Sequence, residues 1–247
     1  MQTIALETQG AVAWVWLNQP DRLNVIQPLT LEELRQAFAE LERNEAVRVI
    51  VLAAHGSAFS AGFDVSSMVQ LTPQQVARDL DEVSAVYDAI ERCSKPMIAA
   101  VNGPAMGGGL LLALVADFRL ASEGASFGAP EVKIGIFPSL NLIPRLERLV
   151  GLGHAKSLVM TGAPIDATEA YRIGLVNRLI APEKLQSESQ VLAERLAALP
   201  PLALRLCKTA FHASTLSNYS VWEKEQFAAC WASPDRERAM RAFLSSR

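Results

Sequence analysis

Two runs of small residues have the composition to do chemistry with backbone groups. The first is NGPAMGGGLLLAL, residues 102–114, where Gly107, Gly108 and Gly109 lead straight into an apolar segment. Glycine in a helix interior costs about 1 kcal/mol relative to alanine. Three of them at the mouth of a buried helix therefore imply either a segment packed very close to that backbone, or N–H groups that are themselves the working parts. A strand feeding a glycine-rich turn and a helix N-terminus is an anion-binding arrangement, because the first N–H groups of a helix lack internal partners and the helix dipole adds partial positive charge. Nucleotide motifs do not fit. No Lys-Ser or Lys-Thr follows the glycines, and neither their spacing nor their central position matches a dinucleotide fingerprint. The second run is SAFSAGFDV, residues 57–65, again a small-residue turn with apolar flanks. Two such turns, each ending a strand of one sheet, can point backbone N–H groups at one spot. Donors aimed at a developing negative oxygen form an oxyanion hole, usually the largest electrostatic contribution in such catalysis.

The elements that must position these turns are legible in the periodicity. TIALETQGAVAWVWLNQP reads as two strands around Gln9-Gly10, with Val12, Trp14 and Trp16 alternating against Ala11, Ala13 and Val15. TLEELRQAFAELERN reads as an amphipathic helix with Leu31, Leu34, Phe38 and Leu41 on one face, and Thr30 followed by Glu33 as its capping box. VRVIVLAA is a buried strand leading into the second small-residue run. TPQQVARDLDEVSAVYDAIERCS is a long helix with Pro73 near its start. KPMIAAVNG is a further buried strand. After the glycines come a short helix to Asp117 and a strand, FRLAS. Strand, turn and helix in repetition imply parallel pairing with crossover connections. From about residue 145 the chain reads as mainly helical, with LPPLA at 199–203 as the expected boundary of a C-terminal helical part.

Bulk properties narrow the function. The chain has 247 residues, half of them hydrophobic, and a formal charge of −3. Its mean hydropathy of +0.18 favours an oligomer. Lys and Arg are scattered rather than clustered, which argues against nucleic-acid binding. Cys93, Cys207 and Cys230 are few, odd in number and widely spaced, as suits a reducing compartment. His55, His154 and His212 lack metal-ligand spacing, so no metal is expected. The N-terminus lacks the pattern of a signal peptide and no apolar run is long enough to span a membrane. A soluble cytoplasmic protein is the expectation.

Five segments together are highly specific. AFSAGFD, KPMIAAVNGPAMGGG, ADFRLAS, FGAPEVKIGIFP and TGAPIDATEAYRIGLVN resemble the crotonase, or enoyl-CoA hydratase/isomerase, superfamily, over nearly the whole chain. The resemblance implies an α/β fold, a crotonase-like spiral of repeated ββα units. An acyl-CoA-binding core over 1–190 would be followed by a C-terminal helical oligomerisation region over 191–247. It implies a coenzyme A thioester as substrate and no bound cofactor. It also implies a homotrimer or dimer of trimers, with which Phe227, Trp231 and Phe243 in the tail are compatible. The two oxyanion donors map onto the N–H groups of Phe63 and Gly108. The coenzyme A surface maps onto Arg22, Leu23 and Val25, with Ala61, Asp64, Val65 and Gly107 as further candidates.

The same resemblance bears on the reaction. Hydratases of this family use two glutamates. One falls on Glu131; at the place of the other stands Leu111, which can neither accept nor donate a proton. Water addition is well served by two carboxylates, whereas moving a double bond needs one base to take a proton from C2 and return it to C4. This pattern resembles the monofunctional enoyl-CoA isomerases. Conversion of 3-enoyl-CoA to 2-enoyl-CoA by Glu131 is therefore the expectation, with hydration as the alternative and a non-catalytic crotonase-like binding protein as the alternative of another class. Thioester hydrolysis and decarboxylation could use the same oxyanion hole. Ser139 stands where other branches of the superfamily carry an acidic residue, and SLNLIPRL is expected to make the acyl pocket more apolar.

Overall fold

The computed structural model describes residues 1–213 and 219–245, but not the side chains within 212–220, at 237 or within 241–245. The side chain of Phe243 therefore lies outside the described residues.

Strands β1 (Ile4–Gln9) and β2 (Val12–Leu17) form the antiparallel hairpin around Gln9-Gly10. Helix α1 (Pro28–Arg43) leads to β3 (Val49–Ala54). The short α2 (Val65–Met68) and long α3 (Pro73–Arg92) lead to β4 (Met97–Val101). Then follow β5 (Ala105–Met106), α4 (Gly108–Leu114), β6 (Phe118–Ser122) and β7 (Ser126–Gly128). The chain continues through α5 (Leu142–Thr161), β8 (Ile165–Asp166), α6 (Ala167–Arg172) and β9 (Arg178–Ile180). It closes with α7 (Leu185–Ala197), α8 (Pro201–Ala213), α9 (Tyr219–Trp231) and α10 (Pro234–Ser245). The large sheet has the order β1-β2-β3-β4-β6-β9, parallel from β2 onward, and a small sheet has the order β5-β7-β8.

Both faces of the large sheet are covered, as parallel strands require. Val12, Trp14, Trp16, Val49, Val51 and Ile98 face α7, which contributes Leu185, Ala193 and Leu196. Ala13, Val15, Ile50, Leu52 and Ala99 face the main core, with Leu34 and Phe38 of α1, Tyr87 and Ile90 of α3, and residues 110–114 of α4. The alternation in β2 is therefore between two cores rather than between core and solvent. Trp14 Nε1 donates to Gln190 Oε1 at 2.9 Å, fastening the sheet to α7. The expected division at residues 190 and 191 falls inside α7, and LPPLA spans the α7–α8 junction.

The capping expectation for α1 is corrected. Pro28 presets the helical φ, so the helix begins before Thr30, whose hydroxyl accepts from the Gln27 N–H at 3.4 Å. Glu33 turns instead to the leading edge of β1. It accepts from the N–H groups of Gln2, Thr3 and Ile4 and from the Thr3 hydroxyl at 2.6–3.2 Å. Burial opposes its ionisation, but these donors outweigh it and hold the carboxyl below its ordinary pKa. In α3, Thr72 caps the helix, exchanging hydrogen bonds with Gln75.

Candidate active site

The two small-residue turns meet. The turn after β3 runs alongside the segment after β4: Ser60 N–H donates to Pro104 O and Met106 N–H to Ser60 O, both at 3.0 Å. Gly62 has φ +90°, and a Cβ there would lie 2.6 Å from Met106 O and 3.3 Å from Gly108 N. Gly109 allows an equally close approach, since its Cβ would lie 2.4 Å from Ser60 O. Close packing is thus one reason for the glycines. At Gly108 a Cβ would strike the Phe63 ring at 2.8 Å. Among the described residues, neither the Phe63 N–H nor the Gly108 N–H has a hydrogen-bond partner. Gly108 is the first residue of α4, where helix geometry leaves N–H groups free.

The small sheet brings in the carboxylate. Met106 pairs with Gly128, and Gly107 N–H donates to Gly128 O at 2.9 Å. Two residues later the chain enters a 3-10 turn, Pro130–Ile134, that carries Glu131 back over the glycine run. Gly107 has φ +51°, and a Cβ there would lie 3.0 Å from Glu131 Oε1. Glu131 Oε2 is buried without a hydrogen-bond partner. Burial pushes the carboxyl above its ordinary pKa, opposed only in part by a backbone N–H. A raised, half-buried carboxylate beside free backbone donors is the arrangement in which a proton can be taken and returned while negative charge develops on a neighbouring oxygen.

The other candidates fall into one surface and one interior position. Arg22 reaches Asp64 at 2.9 Å, and Ala61 N–H donates to Leu23 O at 2.9 Å. Arg22, Leu23, Ala61 and Val65 are exposed, and Val25 is half-buried. Asp64 also caps α2 through Ser66. The Ser66 hydroxyl, against a desolvation cost, is the main cause holding its carboxyl below the usual range, with Arg22 contributing. Leu111 is 1 % exposed and packs in the main core. Ser139 and Leu140 line an apolar cavity of about 170 Å³ with Ile26, Phe63, Leu80 and Val83, beside the donor turn. A larger cavity, about 560 Å³, lies elsewhere, between α8 and the β6 region, and neither turn lines it.

Sequence reasoning missed the supports. Asn24, 2 % exposed, donates to His55 O and Ala58 O, and its own carbonyl accepts from Ser60 Oγ at 2.7 Å. Ser60 Oγ in turn accepts from Gly62 N–H at 3.1 Å, tying the first donor turn to the Arg22–Val25 turn. Arg145, buried, joins Asp88 and Glu91 of α3 at 2.6 Å and donates to Leu140 O. An Asn within a turn and a polar residue in an apolar helix face were the available signals.

A family model described as enoyl-CoA hydratase/isomerase matches residues 7–247. The chain is 36 % identical over 251 residues to a short-chain-enoyl-CoA hydratase of Clostridium acetobutylicum, covering 100 % of this chain and 96 % of that one. It is 38 % identical to a crotonyl-CoA hydratase of Syntrophomonas wolfei, with the same coverage. Among solved structures, the enoyl-CoA hydratase from Bacillus anthracis superposes with a TM-score of 0.95 at 32 % identity, covering 100 % of this chain and 97 % of that one.

Proposed function

The chain belongs to the enoyl-CoA hydratase/isomerase family and has the crotonase fold, and from that premise we propose that it moves the double bond of a 3-enoyl-CoA to the 2-position. The N–H groups of Phe63 and Gly108 receive the thioester oxygen. Glu131 removes a proton from C2, and the electron pair delocalises into the thioester as an enolate held by the two donors. The same carboxyl then returns the proton at C4, and the double bond settles between C2 and C3. Arg22, Leu23, Val25, Ala61, Asp64 and Val65 form the coenzyme A surface, and the cavity beside Ser139 and Leu140 takes the acyl group. The observation that carries this reading is the pairing of one raised carboxylate, Glu131, with a wholly buried leucine, Leu111, at the place of the second.

Hydration of a 2-enoyl-CoA is the second reading, favoured by the relatives, which are named as hydratases. The deciding experiment incubates the protein separately with 3-hexenoyl-CoA and 2-hexenoyl-CoA and resolves products by chromatography and mass. An isomer of unchanged mass from the first, with no water addition to the second, is expected. Rapid formation of a product heavier by one water from the second would replace isomerisation with hydration. Release of free coenzyme A or carbon dioxide would point to hydrolysis or decarboxylation.

Assembly as a homotrimer or dimer of trimers in the cytoplasm is part of the same proposal. It is supported by exposed apolar residues in the C-terminal helices, with Phe227 66 % and Trp231 51 % exposed. A stable monomer by sedimentation would remove it. Among the described residues no helix is long and apolar enough to cross a membrane.

A further inference from the structure

Tyr87 of α3 touches both donor residues. Its hydroxyl donates to the Gly108 carbonyl at 3.1 Å, and its ring meets the Phe63 ring edge-on, with centroids 6.3 Å apart and planes at 68°. The side chain is fully buried, and burial pushes the phenol well above its ordinary pKa, so it remains a donor. The Phe63 ring lies directly over Gly108, in the space a Cβ would need. Tyr87, Phe63 and Gly108 are therefore in mutual contact. The helix that carries Tyr87 is anchored one residue on, where Asp88 is bound by Arg145.

This contact addresses a problem the glycine run creates. Glycine has the widest backbone freedom of any residue. A donor on such a segment is aimed only as well as outside contacts hold it. Oxyanion stabilisation depends on donors fixed in place before charge develops. Ser60 restrains the run from one side and Glu131 lies over Gly107, but neither reaches the Gly108 carbonyl.

We propose that Tyr87 is a positioning residue for the reaction, setting the spacing and direction of the Phe63 and Gly108 N–H groups through its hydrogen bond to the Gly108 carbonyl and its contact with the Phe63 ring. The proposal rests on the reading of these two groups as oxyanion donors. It extends the working parts of the site to a helix outside both small-residue turns.

The test compares wild type with Tyr87→Phe, which keeps the ring and removes the hydroxyl. One readout is kcat and KM for 3-hexenoyl-CoA. The other is the ultraviolet enolate band of bound acetoacetyl-CoA at fixed pH. That thioester ionises readily, and a well-aimed donor pair increases the fraction bound as enolate. The expected result is kcat lower by about tenfold, the effect of losing one buried hydrogen bond, with KM within about twofold and a weaker enolate band. A merely structural tyrosine would lower the melting temperature and leave kcat and the band unchanged, which overturns the proposal. Phe63→Leu, which keeps the N–H and removes the ring contact, is the second variant should Tyr87→Phe not fold. It is expected to lose kcat and enolate band together, and undiminished values overturn the proposal. If wild type shows neither turnover nor an enolate band, the reading of the donors falls and the proposal with it.

Discussion

Glu131→Gln should make the protein more stable and inactive at the same time. In the folded chain Oε2 is buried without a partner and the carboxyl is raised above its ordinary value of 4.5. The folded state therefore holds this proton more tightly than the unfolded state. Stability from this group is fully present below the unfolded value and is lost as pH rises through the folded value. Once pH exceeds the folded value, wild type carries a partly desolvated, unsatisfied charge. An unsatisfied polar group costs about 1–3 kcal/mol when fully buried, and a charged one more. Glu131 is only half-buried, so solvent screens it and about 1 kcal/mol is the expected gain from the neutral amide. For a chain of this size that is roughly 2–4 °C in Tm. Turnover of 3-hexenoyl-CoA should fall by about 10²–10⁴, with coenzyme A thioester binding near wild type. The assay pairs thermal melts at pH 7 and pH 4 with product analysis by chromatography and mass. The Tm advantage should be present at pH 7 and should shrink at pH 4, where wild type is itself largely protonated. A variant that retains turnover would mean another base. A Tm difference that does not change with pH would refute the buried-charge argument.

Leu111→Glu should introduce or raise water addition to 2-hexenoyl-CoA while lowering Tm, because it places a carboxylate at a position 1 % exposed; a folded variant without that gain would show that the wall formed by SLNLIPRL limits hydration. Gly107→Ala should cost about 1–3 kcal/mol for the positive-φ backbone (φ +51°, ψ −115°) and lower turnover more than tenfold, since its Cβ crowds Glu131 Oε1. Unchanged turnover would detach the position of Glu131 from the reaction. Arg145→Met leaves Asp88, Glu91 and the Leu140 carbonyl without their cation, and a loss of about 3 kcal/mol, roughly 6–12 °C in Tm, is expected. A loss of under about 2 °C would show that solvent screens the cluster.

What the sequence determined by itself is local. Period-two alternation placed β2, and Pro73 marked the start of α3, because propensity and proline's fixed φ act over a few residues. Small residues after buried strands marked both turns of the site, and the resemblance assigned Glu131 to the neighbouring turn. What only the tertiary structure decided is which surfaces meet. Trp14 found Gln190, far along the chain, and α7 covers that face of β2 as a second core. Glu33 left its expected cap because the N–H groups at the start of β1 offered stronger partners than one helix end. Tyr87 carries no motif, and its register in α3 is indistinguishable from that of its apolar neighbours. It matters because the crossover of α3 lays it against Gly108 and Phe63. Helix and strand periods are written in adjacent residues, whereas a partner across the core is selected by the burial of the whole chain.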